Sequence, residues 1–330
     1  MRKIKPRNNS CLPAGSMAGF TVVELLVAIA IGLVILAGLF RTFKVQQDSY
    51  VIQDEVSAMQ QNLRAAMHFI TRDLQMAGYY TNCDRNNKQM DWNDLDGDSN
   101  PNNNMETGRP LIFAANNITT GGGIKSNTDL IVIVKASLEE GRLLVSGESA
   151  SGDTISLSSW NLDGVTGDDL NTAGKKYGVL VKDDLNYAEL FHLDNSGKIT
   201  PPLTNSYTTN DRVHRADIII YRVDDSTPTR PCLVRKNLGN DNGYQVIAEN
   251  IDNLQIRYQL IDGTWVNDPA GNQARVKAVE VLLVARTASP QRGYRDTNPI
   301  SFGGTTLPAP NDAYRRKVLT SIIKTRNIGL

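Results

Sequence analysis

The stretch Ala18-Gly19-Phe20-Thr21-Val22-Val23-Glu24, opening the run FTVVELLVAIAIGLVILAGLF at residues 20–40, decides how this chain is built. Within those 21 positions Glu24 is the only ionisable residue, and Thr21 is the only other polar side chain. At about 1.5 Å per residue a helix over the run spans roughly 31 Å, the thickness of a bilayer's hydrocarbon core. Arg2, Lys3, Lys5 and Arg7 precede it with no acidic partner. Basic flanks stay in the cytoplasm, so everything after Phe40 is expected outside, with Arg41 and Lys44 opposing that bias weakly. An ordinary secretory signal has a shorter apolar segment with its small-residue cleavage site after it. Here the segment is longer, and the short site precedes it. A carboxylate near the bilayer centre costs on the order of 2.5–3.5 kcal/mol, so Glu24 calls for a nearby cation, or else snorkels towards the interface of a plain signal anchor.

Beyond the membrane run, Val45, Ile52, Val56, Met59, Leu63, Ala66, Ile70, Leu74 and Ala77 recur mostly at gaps of three and four, one face of an amphipathic helix. No proline interrupts residues 20–78, so the spacing predicts a single long helix that Gly78 ends. An isolated coiled-coil stalk is the alternative, although the stripe covers under five heptads and lacks consistent flanking charges. A β-sheet of the same chain is its expected partner.

Lys plus Arg and Asp plus Glu are both 35, which excludes a strongly basic nucleic-acid binder or a polyacidic chain. Loss of the four leader cations leaves 31 basic against 35 acidic residues, a mildly acidic remainder near −4. Aromatic content is low, and Gly, Asn, Asp and Thr are abundant after residue 80, as in turn-rich β structure. Strands are predicted at 128–135, 142–146, 154–158, 178–182 and 188–193, and again within 216–225, 232–238, 246–266 and 276–288. The expected fold class is therefore α+β, a long amino-terminal helix packed on an antiparallel β-rich body. Its parts are a leader at 1–19, a helix at 20–78 with the membrane span at 20–40, and a body at 79–330.

The basic leader, Gly19, Phe20-Thr21-x-x-Glu24 and the apolar stretch together resemble type IV prepilins. The resemblance implies a peptidase cut between Gly19 and Phe20, N-methylation of Phe20, and pairing of Glu24 with the freed amine of a neighbouring subunit. Spacing alone also permits an internal pair, because residues four apart share a helix face. FITRDLQMAGYY at 69–80 is similar to the helix end of PilW-type minor pilins and of the related GspJ pseudopilins. The order of the strands after 216, closed by YRRKVLTSIIKTRNIGL at 314–330, resembles the PilW pattern. A protein of that family is implied to be an inner-membrane, single-pass subunit with a periplasmic body and then a place in a pilus filament or at its tip. Its implied partners are the prepilin peptidase, the inner-membrane assembly platform, and the major and other minor pilins. Motility, adhesion, DNA uptake and secretion share these features. The alternatives are a GspJ-like pseudopilin of type II secretion and, in another class, a membrane-tethered adhesin or enzyme that never polymerises.

Three features of the body are candidate sites. Asp94-x-Asp96-Gly97-Asp98-x-Asn100 sets oxygen ligands at alternate positions around a glycine, as calcium loops do, although Ser99 and Met105 depart from the EF-hand pattern and an acidic turn has the same composition. Cys83 follows the helix and Cys232 opens a strand, so a disulfide between them would tie helix to sheet in an oxidising compartment, contributing roughly 4–5 kcal/mol on the chain-entropy model. Two unpaired thiols are the alternative. Arg315, Arg316, Lys317, Lys324 and Arg326 allow nonspecific contact with a polyanion, while a solvated strand face is the simpler reading; direct nucleic-acid recognition is not expected. His68, His192 and His214 are far apart in sequence, and the H-E-x-x-H, phosphate-loop and G-x-S-x-G patterns are all missing. The chain is not expected to be an enzyme.

Overall fold

In the computed structural model the described residues are 19–81, 90–91, 107–108, 112–118, 123–159, 162, 177–184, 187–193, 196–200, 202–240, 243–269, 272 and 275–328. The chain divides into two units, Met1–Asp54 and Glu55–Leu330.

Helix α1, Val22–Gln75, runs through 54 residues without a break. In the first unit none of its side chains is buried, and Leu26, Val34 and Phe40 are exposed. Among the described residues it is the one helix long and apolar enough to cross a membrane.

In the second unit α1 becomes one-sided. Met59, Leu63, Ala66, Met67, Ile70 and Leu74 are buried, and Ala77 just beyond the helix continues the row. Each aliphatic side chain so buried stabilises the unit by about 1.5–3 kcal/mol. The helix ends because its hydrogen bonds tighten: Met76 N–H donates to Asp73 O and Ala77 N–H to Leu74 O, both 3.2 Å. Gly78 then takes φ +76°, a left-handed conformation that suits glycine, and its N–H turns away to Val134 O at 2.9 Å.

The strands of the second unit, in order, are β1 (Met90–Asp91), β2 (Thr107–Gly108), β3 (Ile112–Ile118), β4 (Thr128–Leu143), β5 (Ser149–Ser151), β6 (Thr154–Ser156), β7 (Tyr177–Val181), β8 (Ala188–Leu193) and β9 (Ile199–Thr200). They continue as β10 (Arg212–Asp224), β11 (Cys232–Asn237), β12 (Gln245–Glu249), β13 (Ile251–Leu260), β14 (Trp265–Val266), β15 (Val276–Arg286), β16 (Ile300–Phe302), β17 (Thr305–Leu307) and β18 (Arg316–Lys324). All the pairings are antiparallel, so the fold is α+β with an antiparallel body, as the composition and periodicity predict.

One sheet is organised on β10. Along one side it pairs with β4; along the other it meets β7 at Arg212–Arg215 and β11 at Ile219–Asp224. A second sheet of four strands has the order β14-β13-β15-β18. Ile131, Ile133, Ile219, Tyr221 and Val223 of the first sheet, Leu254, Ile256, Val281 and Leu283 of the second, and the buried stripe of α1 form one hydrophobic core. The opposite face of the first sheet, including Val132, Val134, Ile218 and Ile220, forms another.

The strand expected at 142–146 is a correction. Residues 142 and 143 are the end of the 16-residue β4, and Leu144 to Glu148 leave the sheet. The register with β10 explains it: Gly141 pairs with His214 across a bulge, and the imidazole packs where a side chain at 141 would stand. Glycine therefore keeps β4 continuous at a point where turn composition suggests a break.

Candidate functional site

At the amino end Gly19 and Phe20 are exposed, Phe20 at 88%, so the junction between them is open. Thr21 and Glu24 form a reciprocal cap. The Thr21 N–H and hydroxyl each donate to Glu24 Oε2 at 3.0 Å, and the Glu24 N–H donates to Thr21 Oγ1 at 3.2 Å. This is the capping-box geometry of a Thr-x-x-Glu sequence, which satisfies backbone donors that a helix start leaves unpaired. Glu24 thus has a local role besides its charge, legible in the spacing of Thr21 and Glu24.

In the second unit α1 is fastened by a buried polar hub. Asp73 is 3% exposed and accepts at Oδ2 from the Tyr221 hydroxyl (2.6 Å) and from Arg235 Nε–H (2.9 Å). Burial and the neighbouring carboxylate push the Tyr221 phenol above its ordinary range, so it stays a donor. Asn62 Nδ2 donates to Glu249 O at 3.0 Å, and Asn327 Nδ2 to Ala77 O at 3.4 Å. Asp73 stands three residues after Ile70 and seven after Ala66, inside the apolar stripe. That polar interruption is the sequence feature that marks it.

A cleft of about 370 Å³ lies on the four-stranded sheet beside the segment carrying β16 and β17, with Lys125, Asp252, Arg286, Pro308, Asp312 and Arg316 in its wall. Its centre is Asp252, which takes an ion pair from Lys125, another from Arg316 Nε at 2.6 Å, and a longer one from Arg286 at 3.7 Å. Arg316 also forks onto Asp312, with both contacts at 2.6 Å, and reaches Asp296 at 3.5 Å. Burial pushes the Asp252 carboxyl up, yet the Lys125 and Arg316 charges hold it below the usual aspartate range. The Arg316 fork does the same for Asp312. Cations and carboxylates neutralise one another here, so the cluster clamps residues 296–312 to the sheet. It contains no paired nucleophile and base.

The carboxyl-terminal cations do not all form a solvated face. Lys317, Lys324 and Arg326 are exposed, but the Arg316 side chain is only 7% exposed and belongs to the clamp, and Arg315 lies over the Tyr294 ring at 4.5 Å. Cys232 is half-buried, its thiol donating to Arg230 O at 3.2 Å, and burial pushes that thiol's pKa up. Cys83 lies outside the described residues, as do Asp94, Asp96, Asp98 and Asn100. Among the described residues no group of three His, Cys, Asp or Glu side chains is placed to hold a metal ion. The histidines stay apart: His68 is exposed on α1, His192 packs on Tyr177 at 4.8 Å, and His214 lies against Tyr80 at 5.2 Å.

Residues 220–327 match the model of the family described as Type IV Pilus-assembly protein W, PilW. The carboxyl-terminal third is PilW-like. The PilW-like segment supplies β11 to β18, both partners of Asp73, and Asp252, Arg286, Asp296, Asp312 and Arg316 of the clamp. Asp73 and Lys125 enter from outside it. The chain joins this segment to one long amino-terminal helix whose first part is apolar. A type IV-like pilin from Thermus thermophilus aligns with 12% identity over 84% of this chain and 99% of its own, with a TM-score of 0.35. A search of curated proteins found no significant relative.

Proposed function

We propose that this chain is a minor pilin of a type IV pilus, made as a precursor, cut between Gly19 and Phe20, methylated on Phe20, and assembled into the filament or used to prime it. The observation that carries the reading is the match of residues 220–327 to a pilus-assembly family. The apolar start of α1 supports it, because that segment suits an inner-membrane anchor with the body on the periplasmic side. Its partners are then the prepilin peptidase, the assembly platform, and the major and other minor pilins.

Within a membrane, apolar packing between helices gains nothing from leaving lipid. Close packing at small residues such as Gly32 and Gly38, together with charge pairing, has to supply the association. A methyl built at either glycine meets no atom of this chain within 4 Å, which leaves room for a neighbouring helix. Glu24 paired with the amine of Phe20 on another subunit removes two unfavourable charges at once.

The cap separates two roles for Glu24, and substitutions distinguish them. Glu24→Gln keeps a side-chain acceptor for Thr21 and loses the charge, whereas Glu24→Ala loses both. The proposal expects both variants to enter filaments poorly when incorporated copies are counted against wild type, and Thr21→Ala to enter nearly normally. Normal incorporation of Glu24→Gln would refute the charge-pairing step.

A further inference from the structure

Strand β18 is an uncovered edge. It pairs residue for residue with β15, from Ala278↔Lys324 to Arg286↔Arg316, without a bulge. On its other side no strand is paired among the described residues. Natural edges are usually blunted by proline, by a bulge, by charges or by a covering element. This nine-residue edge has neither proline nor bulge, only lysines near its ends. Its side chains alternate. Leu319 and Ile323 pack inward on the core, while Val318 and Ile322 remain 37% and 58% exposed on the other face.

The flank of α1 does not close the gap. A groove of about 120 Å³ runs between helix and strand, lined by Gln60, Leu63, Arg64, Lys317, Val318 and Leu319. Both of its charged groups, Arg64 and Lys317, are cations, and both are exposed. Neither they nor Lys324 make an ion pair among the described residues, and no carboxylate lines the groove. An extended peptide laid here would find open backbone groups, the exposed aliphatic side chains of Val318 and Ile322, and positive charge without an ion pair among the described residues.

We infer that the β18 edge and the Arg64–Lys317 groove form a docking site for an acidic, extended segment of another protein, added as a further antiparallel or parallel strand. Charge decides the occupant. A second copy pairing antiparallel through its own β18 would bring the Lys317 end of one strand against the Lys324 end of the other, and a parallel copy would align lysine with lysine. Like charges directly opposite are destabilising. Carboxylates of a partner strand instead meet Arg64 and Lys317 beside the helix and, on the opposite face of the sheet, Lys324. The site lies wholly within the second unit, so its test does not depend on leader cleavage or filament entry.

The test uses the full chain in detergent micelles and three fluorescein-labelled, end-blocked octapeptides. The first is a Val/Thr peptide with three glutamates, the second has lysine for glutamate, and the third keeps the glutamates but replaces two valines with proline. Fluorescence anisotropy reads binding, and hydrogen exchange reads residues 316–324. The inference expects the first peptide alone to bind and to slow exchange at β18. Arg64→Glu with Lys317→Glu, both at exposed positions, should weaken that binding about tenfold at an unchanged thermal midpoint. Equal binding of the proline peptide would reduce the effect to bulk electrostatics and overturn strand addition. Absence of binding at millimolar peptide, no loss on charge reversal, or dimerisation of the chain with protection of its own β18 would each overturn the inference.

Discussion

Replacement of Asp73 by alanine tests how α1 is held to the body. The carboxylate is buried and accepts from the Tyr221 hydroxyl at 2.6 Å and Arg235 Nε at 2.9 Å, with exposed Arg72 a longer ion-pair partner at 3.5 Å. The Arg235 side chain is 18% exposed, so its charge regains some water once the carboxylate is gone. Removing one partner of a buried ion pair costs about 3–5 kcal/mol, and that residual solvent access places the expectation at the lower end, about 3 kcal/mol. For a unit of this size that lowers the thermal midpoint by roughly 6–12 °C. Asp73→Asn keeps an acceptor for Tyr221 and should lose about half as much, since only the charge assistance goes. Tyr221→Phe removes one hydrogen bond and should cost about 1 kcal/mol. The assay is thermal and urea unfolding of the full chain in detergent, followed by near-ultraviolet circular dichroism. An Asp73→Ala midpoint within 2 °C of wild type, against that expected shift, would show that the apolar stripe alone fixes the helix and that the hub is dispensable.

Leu63 is 2% exposed at the centre of the same stripe, and Leu63→Ala should cost about 2–5 kcal/mol by urea unfolding, far more than any outward-facing substitution such as Ala65→Ser. Gly141→Ala places a methyl against the His214 imidazole and should lower stability by about 1–3 kcal/mol, with a rescuing effect from His214→Ala in the double variant. Acid should release the clamp. Asp252 and Asp312 have carboxyls held below the ordinary value, so their contribution is complete above the unfolded aspartate pKa of about 3.9 and disappears as pH falls through their lower folded values. Urea midpoints should therefore be flat with respect to these two groups from pH 7 to about 5 and fall below about 4, and Asp252→Asn should flatten that fall.

What could be read from the chain in advance depended on the range of the interaction. The buried stripe from Met59 to Ala77 is a local period, visible without any knowledge of the partner sheet. The strands at 178–182 and 188–193 were legible for the same reason. The partners of the hub were not, because Asp73 meets Tyr221 and Arg235, 148 and 162 positions away. Nothing local distinguishes Arg316 at the clamp from exposed Lys317 beside it. The misplaced strand at 142–146 has the same origin: Gly141 reads as a break until His214 is known to occupy the space beside it. At the amino end the interaction is local: Thr21 and Glu24 stand at capping-box spacing, so the hydrogen bonds of Glu24 are legible in the sequence beside its charge. The calcium-loop pattern and the Cys83 half of the Cys83–Cys232 pairing lie beyond the described residues.

The amino terminus that assembled molecules carry is the decisive observable. Mass spectrometry of the first peptide from chains recovered in sheared filaments reads it directly. A chain cut after Gly19 and N-methylated gives a peptide beginning at Phe20 and heavier by one CH2 than its sequence requires. Filament-borne chains that begin at Met1 would contradict that cut.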